Sequence, residues 1–192
     1  DDCLMANNGF FFCSGAYMLK LETFKSLTDL NIYTEKNAGQ NWQLLLPILY
    51  QYRCKSILKP LYTVVARPDS HSRGQYSGYE ASVRKYDAYL NTQIETLKRI
   101  IDFPQEKLNY YYKLIKQGYD IKLFWAAIKD NKRKIALERI EPYLNGGGIS
   151  YKERLLASLL RIKGICYPIN LYLRVYSYFT RTIHSLYHKI IK

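Results

Sequence analysis

The pattern of apolar and polar positions changes character at about residue 78. Before that point it is mixed. The run GFFFCSGAYML at 9–19 is aromatic and apolar, and it predicts a buried strand entering a turn at Ser14, Gly15 and Ala16. LETFKSL at 21–27 has the spacing of a short amphipathic helix, and TEKNAGQ at 34–40 is loop-like. NWQLLLPILYQYR at 41–53 predicts a helix with Leu44, Leu45, Ile48 and Leu49 facing inward. Pro47 should kink it, because proline supplies no amide donor. CKSILKPLYTVVAR at 54–67 alternates and is rich in β-branched residues, the mark of one or two strands broken at Pro60. PDSHSRGQYSG at 68–78 consists of turn-favouring residues and reads as a loop.

From Tyr79 onward the period is helical. The spacing predicts helices near 79–102, 104–117, 120–129, 131–144, 150–163 and 168–191, with breaks at Pro104, Gly118, 145–148 and 164–168. No motif recurs at a fixed period, so the helix pairs are not read as a solenoid. Two regions follow from this pattern, 1–78 and 79–192.

Composition sharpens the picture. With 192 residues, 48% hydrophobic and 23% charged, the chain can build a core and is not disordered by composition. Its 20 tyrosines suit half-buried faces, interfaces, and sugar or membrane surfaces. The formal net charge of +13 is unevenly spread. Residues 1–50 carry Lys20, Lys25 and Lys36 against Asp1, Asp2, Glu22, Asp29 and Glu35. Residues 151–192 carry eight Lys or Arg against the single acid Glu153. A basic tail behind a near-neutral head implies an anionic surface, phospholipid or nucleic acid. The basic residues alternate with apolar ones and form no recognised nucleic-acid motif, which turns the reading away from nucleic acid.

The last predicted helix concentrates this feature. Leu171, Val175, Tyr178, Phe179, Ile183, Leu186 and Ile190 fall at helical spacing, and Arg174, Arg181, His184, His188, Lys189 and Lys192 supply basic charge. Such a helix either lies on an anionic membrane, tyrosines at headgroup depth, or docks on its own domain. No signal peptide and no apolar run of roughly 18 residues is present, so the expected location is cytoplasmic, peripheral on the inner face of the cell membrane. Cys3, Cys13, Cys54 and Cys166 lack zinc or redox spacing and read as free thiols of a reducing compartment. The chain opens on DDCLMANNGFFF without an initiator methionine, which predicts a piece of a longer product.

Two stretches could carry chemistry. GQNWQ at 39–43 sets three amides around Trp42 where a helix begins. Asn41 is a good N-cap, which accounts for part of the cluster. The rest fits a sugar subsite, with Trp42 stacking on a sugar face and amides such as Gln43 binding hydroxyls. The opposing reading makes Trp42 a core anchor. ARPDSHSRG at 66–74 gathers Arg67, Asp69, Ser70, His71, Ser72 and Arg73. Guanidinium and hydroxyl groups bind phosphate oxygens, and His71 could ligate a divalent metal, although a lone exposed histidine more often does neither.

The order SGAYMLK, GQNWQLLLP, PLYTVVARPDSHS and then helices resembles the acceptor-side part of a family 2 glycosyltransferase. The resemblance covers about residues 9–75. It implies an α/β fold, the C-terminal portion of a GT-A domain over 1–78, followed by a mostly helical tail, with helix dominating the chain. It implies inverting transfer from a nucleotide-sugar donor, UDP-sugar foremost, to a cell-surface glycan or lipid-linked acceptor, with manganese or magnesium as cofactor. By position, the catalytic carboxylate falls at Asn41, preceded by Gln40, and Trp42 and Gln43 lie beside the acceptor. Ser14 and Gly15 match the turn near the donor sugar. Arg67, Ser70, His71, Ser72 and Arg73 match the loop over the diphosphate, and His71 the metal.

Two departures qualify the match. An amide cannot act as a general base, so either Asp69 or Glu35 takes that role, or the amides bind the acceptor, or the copy is catalytically altered. The nucleotide-binding front half, with its Asp-x-Asp metal site, is not found in these residues. The competing readings are a non-enzymatic basic helical module for an anionic partner and a degenerate, inactive transferase.

Overall fold

A computed structural model describes residues 2–5, 15, 17–34, 41–55, 57, 59, 61, 63, 65 and 78–190, and for 177 and 181–190 the backbone only. The described residues are helical. They form α1 (Asp2–Met5), α2 (Leu21–Leu27), α3 (Asn41–Gln51), α4 (Tyr79–Lys98), α5 (Gln105–Lys129), α6 (Arg133–Ile140), a 3-10 turn (Glu141–Tyr143), α7 (Tyr151–Leu160) and α8 (Cys166–Ile190). The expected α/β fold is therefore corrected. Among the described residues there is no strand, and β-type pairing is limited to one antiparallel bridge between Thr28 and Ile100. The predicted strand at 54–67 shows why. A strand persists when a neighbour completes its ladder of hydrogen bonds. The described residues there adopt no regular structure and leave Ile57, Leu61 and Val65 exposed. Of the strand predicted at 9–19, residues 9–14 and 16 lie outside the described residues, and 17–19 are irregular. The dominance of helix, also expected, is what the described residues show.

The chain forms two compact units, Asp1–Tyr119 and Asp120–Lys192, so the division falls about 40 residues later than the change in pattern at 78. In the first unit α4 packs along α3, and both meet α1. The core joins Cys3, Leu4, Trp42, Leu46, Leu97, Ile100, Leu108, Ile115 and Tyr119. Helix α3 buries Trp42, Gln43, Leu46 and Pro47, whereas Leu44, Leu45, Ile48 and Leu49 are half-buried. Its inward face is thus turned from the predicted one. Pro47 is accommodated inside the helix.

The break predicted at Gly118 is absent, and α5 runs through it. A methyl group at Gly118 would lie 2.7 Å from Cε of Met5, so this glycine serves close approach to α1 rather than a turn. Helix α5 ends where Asn131 takes a left-handed φ of 57° and the Lys132 amide donates to Ala127 O at 2.8 Å, a Schellman-type close.

In the second unit Asp120, buried, accepts from Arg139 at 3.0 Å and from the Tyr143 hydroxyl at 2.7 Å, tying α5 to α6 and the 3-10 turn. Ser150 and Glu153 form a reciprocal capping box at the start of α7, and Glu153 also accepts from Trp125 Nε1 at 3.1 Å. Partial burial opposes ionisation of Glu153, but the hydrogen bonds from Ser150 and Trp125 outweigh it and hold the carboxyl below its ordinary range. A depressed carboxylate contributes stability above its unfolded pKa, and that contribution is lost as pH falls through the folded value. Glu153→Gln keeps most of the hydrogen bonding and loses the charge. We expect it to cost the second unit about 0.5 kcal/mol at neutral pH, with the difference vanishing in acid, as followed by urea unfolding at several pH values.

Candidate functional site

The amide cluster lies where α3 begins, and the structure gives its members different tasks. Trp42 is buried at 8% exposure, donates from Nε1 to Cys3 O at 3.3 Å and meets the Tyr89 ring edge-on at 5.0 Å. A ring so placed anchors α3 to α1 and α4, and the open face that a stacked sugar needs is taken up by the core. Gln43, also buried, clamps Tyr33 from both sides. Its Oε1 accepts from Tyr33 N at 2.7 Å and its Nε2 donates to Tyr33 O at 2.6 Å. An amide used in this way stands in for a paired strand and satisfies a backbone that has none. Trp42 and Gln43 therefore hold the helix in place.

Asn41 differs. It is half-buried at the first position of α3, and its Oδ1 accepts a 2.7 Å hydrogen bond from the Tyr17 hydroxyl. Burial raises the Tyr17 phenol above its ordinary value, so it remains a donor near neutral pH. Both groups are neutral hydrogen-bonding groups there. They can orient a hydroxyl or another polar group and cannot remove its proton. Gly15, in the same SGAY segment as Tyr17, is exposed in a turn. Tyr17 was not singled out from sequence. The available signal was its place next to the small-residue turn, three positions from Ser14.

The other predicted site residues, Gln40, Asp69, Ser14, Arg67, Ser70, His71, Ser72 and Arg73, lie outside the described residues, as does Glu35. The structure thus joins Asn41 to the SGAY segment, while the loop expected to bind phosphate and the carboxylates expected to act as base lie outside the described residues. Among the described residues no group of three or more His, Cys, Asp or Glu could hold a metal, and the one predicted ligand, His71, lies outside them.

Beside α3, a half-open pocket of about 250 Å³ is lined by Cys3, Leu4, Leu46, Leu49, Tyr50, Leu97 and Tyr111. Burial pushes the Cys3 thiol up to about 12, so the thiol is protonated and unreactive at neutral pH. Cys166 is likewise buried, Cys54 is exposed, and Cys13 lies outside the described residues. Among the described residues no helix is long and apolar enough to cross a membrane. No protein-family model, no curated protein and no solved structure matches this chain.

Proposed function

We propose that this chain supplies the acceptor-side portion of a family 2-like glycosyltransferase, which moves a sugar from a nucleotide-sugar donor, UDP-sugar foremost, to a cell-surface glycan or glycolipid. The observation that carries the reading is the 2.7 Å contact between Tyr17 and Asn41. It brings together two sequence motifs, SGAY and GQNWQ, that the resemblance assigns to the donor turn and the acceptor subsite. The reading rests on the order of these motifs and on that contact, and not on the fold class. In this account Asn41 and Tyr17 orient the acceptor, Trp42 and Gln43 hold α3 in register beneath them, and the proton is taken by a carboxylate, Asp69 or Glu35. The His71 loop folds over the diphosphate, with Arg67 and Arg73 supplying bidentate charge.

The test is calorimetric titration of the full gene product with UDP, with and without manganese. Expected is saturable, manganese-dependent binding, weakened at least about tenfold in His71→Ala, as for loss of one charged hydrogen bond. Absence of binding to UDP and to other nucleoside diphosphates would overturn the reading. In transfer assays Asn41→Asp should lower activity, because a charge beside Tyr17 alters the oriented acceptor. A dead parent with an active Asn41→Asp variant would instead mark a degenerate copy.

A further inference from the structure

Helix α8 (Cys166–Ile190) presents two unlike faces. One is its dock on the second unit. Cys166 and Asn170 are buried there, with Ile169 and Leu173 half-buried beside them, a strip repeating every three to four residues. The strip is held by polar bonds to the end of α5. Asn170 Nδ2 donates to Lys129 O at 2.8 Å, and Arg174 donates both to Asn170 Oδ1 at 3.1 Å and to Lys129 O at 3.3 Å. Arg174 thereby sets a cation against the carbonyl end of α5, where the helix dipole favours it.

The opposite face carries the larger apolar residues. Tyr167, Leu171, Val175, Tyr178 and Phe179 recur at intervals of three and four and are 46 to 70% exposed. A docked terminal helix ordinarily turns its apolar stripe to its own domain and its polar side to water. Here a second, larger apolar stripe faces outward, and an exposed apolar patch of this extent marks a contact.

Charge selects the occupant. No acid occurs anywhere in 154–192, while Arg154, Arg161, Lys163, Arg174, Arg181, Lys189 and Lys192 do. Arg154 and Arg174 donate to the backbone carbonyls of Leu144, Gly146 and Lys129, and by sequence the stretch carries five further cations. A second copy of the chain would bring like charge to like charge. An anionic bilayer matches both features at once, accepting the apolar side chains below its headgroups, the tyrosine hydroxyls at headgroup depth and the cations above. The helix is not apolar enough to cross, which leaves the in-plane orientation.

We infer that α8 is a membrane-docking helix that lies in the plane of an anionic phospholipid surface with Tyr167, Leu171, Val175, Tyr178 and Phe179 inserted. This does not depend on the glycosyltransferase reading, since vesicle binding is measured without nucleotide or sugar. The experiment is co-sedimentation of the full chain with phosphatidylcholine vesicles containing or lacking phosphatidylglycerol. Expected is binding to the anionic vesicles that weakens with salt, little binding to the neutral ones, and a loss of at least about tenfold in Val175→Glu/Phe179→Glu. Both positions are exposed, so the variant should melt like the parent, and circular dichroism checks that it does. Equal binding by parent and variant would overturn the inference. So would absence of vesicle binding, equal binding to neutral vesicles, or salt-steep binding to RNA that the variant retains while vesicles do not bind.

Discussion

Trp42→Ala is expected to destabilise the first unit by about 3–5 kcal/mol, the range for removing a buried aromatic and leaving a cavity. Three losses coincide at this position. The indole fills the junction of α1, α3 and α4, its edge-on contact with Tyr89 disappears, and the carbonyl of Cys3 loses its donor. Trp42→Phe restores the ring and omits only the hydrogen bond, and should cost roughly half as much. Amide exchange at Leu97 and Ile115, both deep in this core, reports the effect without relying on the fluorescence of the residue removed. A cost below about 1 kcal/mol for Trp42→Ala would show that the ring is not the anchor described here. It would restore the exposed, ligand-facing alternative.

Gln93→Leu carries the second large effect. Gln93 is fully buried in α4 and joins two elements far apart in sequence. Its Nε2 donates to Leu4 O, and its Oε1 accepts from the Tyr119 hydroxyl at 2.7 Å. Leucine fills similar volume but removes both of these buried hydrogen bonds, each loss costing on the order of 1–3 kcal/mol. We expect a loss of about 2–4 kcal/mol, with part of it recovered in Gln93→Leu/Tyr119→Phe, where the hydroxyl that Gln93 accepted from is gone. A double variant no more stable than Gln93→Leu would break the relay account. Burial of the same phenol makes the unit sensitive to alkali. Burial raises the Tyr119 phenol far above its ordinary 10.0, with the nearby Tyr89 and Tyr86 adding to the shift. The unfolded phenol ionises first, so the stability tied to this group is complete below its unfolded pKa and declines as pH rises above it. Tyr119→Phe removes that decline.

Both predictions concern residues of opposite legibility. Trp42 stood out in the sequence, yet as a sugar-stacking candidate, because an aromatic among amides carries the same local signature in a binding site and in a core. Gln93 did not stand out at all. A glutamine in a helical pattern reads as solvent-facing until Tyr119, 26 residues away, and Leu4, 89 residues away, are seen to converge on it. The Tyr17–Asn41 contact, on which the functional proposal turns, spans 24 residues and could not be read from the spacing of either motif.

What the sequence by itself determined was the local order of the chain. The helices after Tyr79, the short helix at 21–27 and the start of α3 at Asn41 follow from a period of 3.6 and from turn residues, interactions of a residue with neighbours three and four positions away. The absence of acids after Glu153, from which the proposed anionic partner of α8 is argued, is likewise a fact of sequence. Only the tertiary structure decided what requires a distant partner. Alternation at 54–67 predicted strand, but a strand depends on a ladder supplied from elsewhere, and among the described residues none pairs with it. Gly118 predicted a break, but α5 is continuous through it, and the missing side chain there admits Met5. The orientation of each amphipathic helix was settled the same way. The face of α8 that docks is the one whose Asn170 and Arg174 meet the carbonyl end of α5, and that choice leaves its broad apolar face outward.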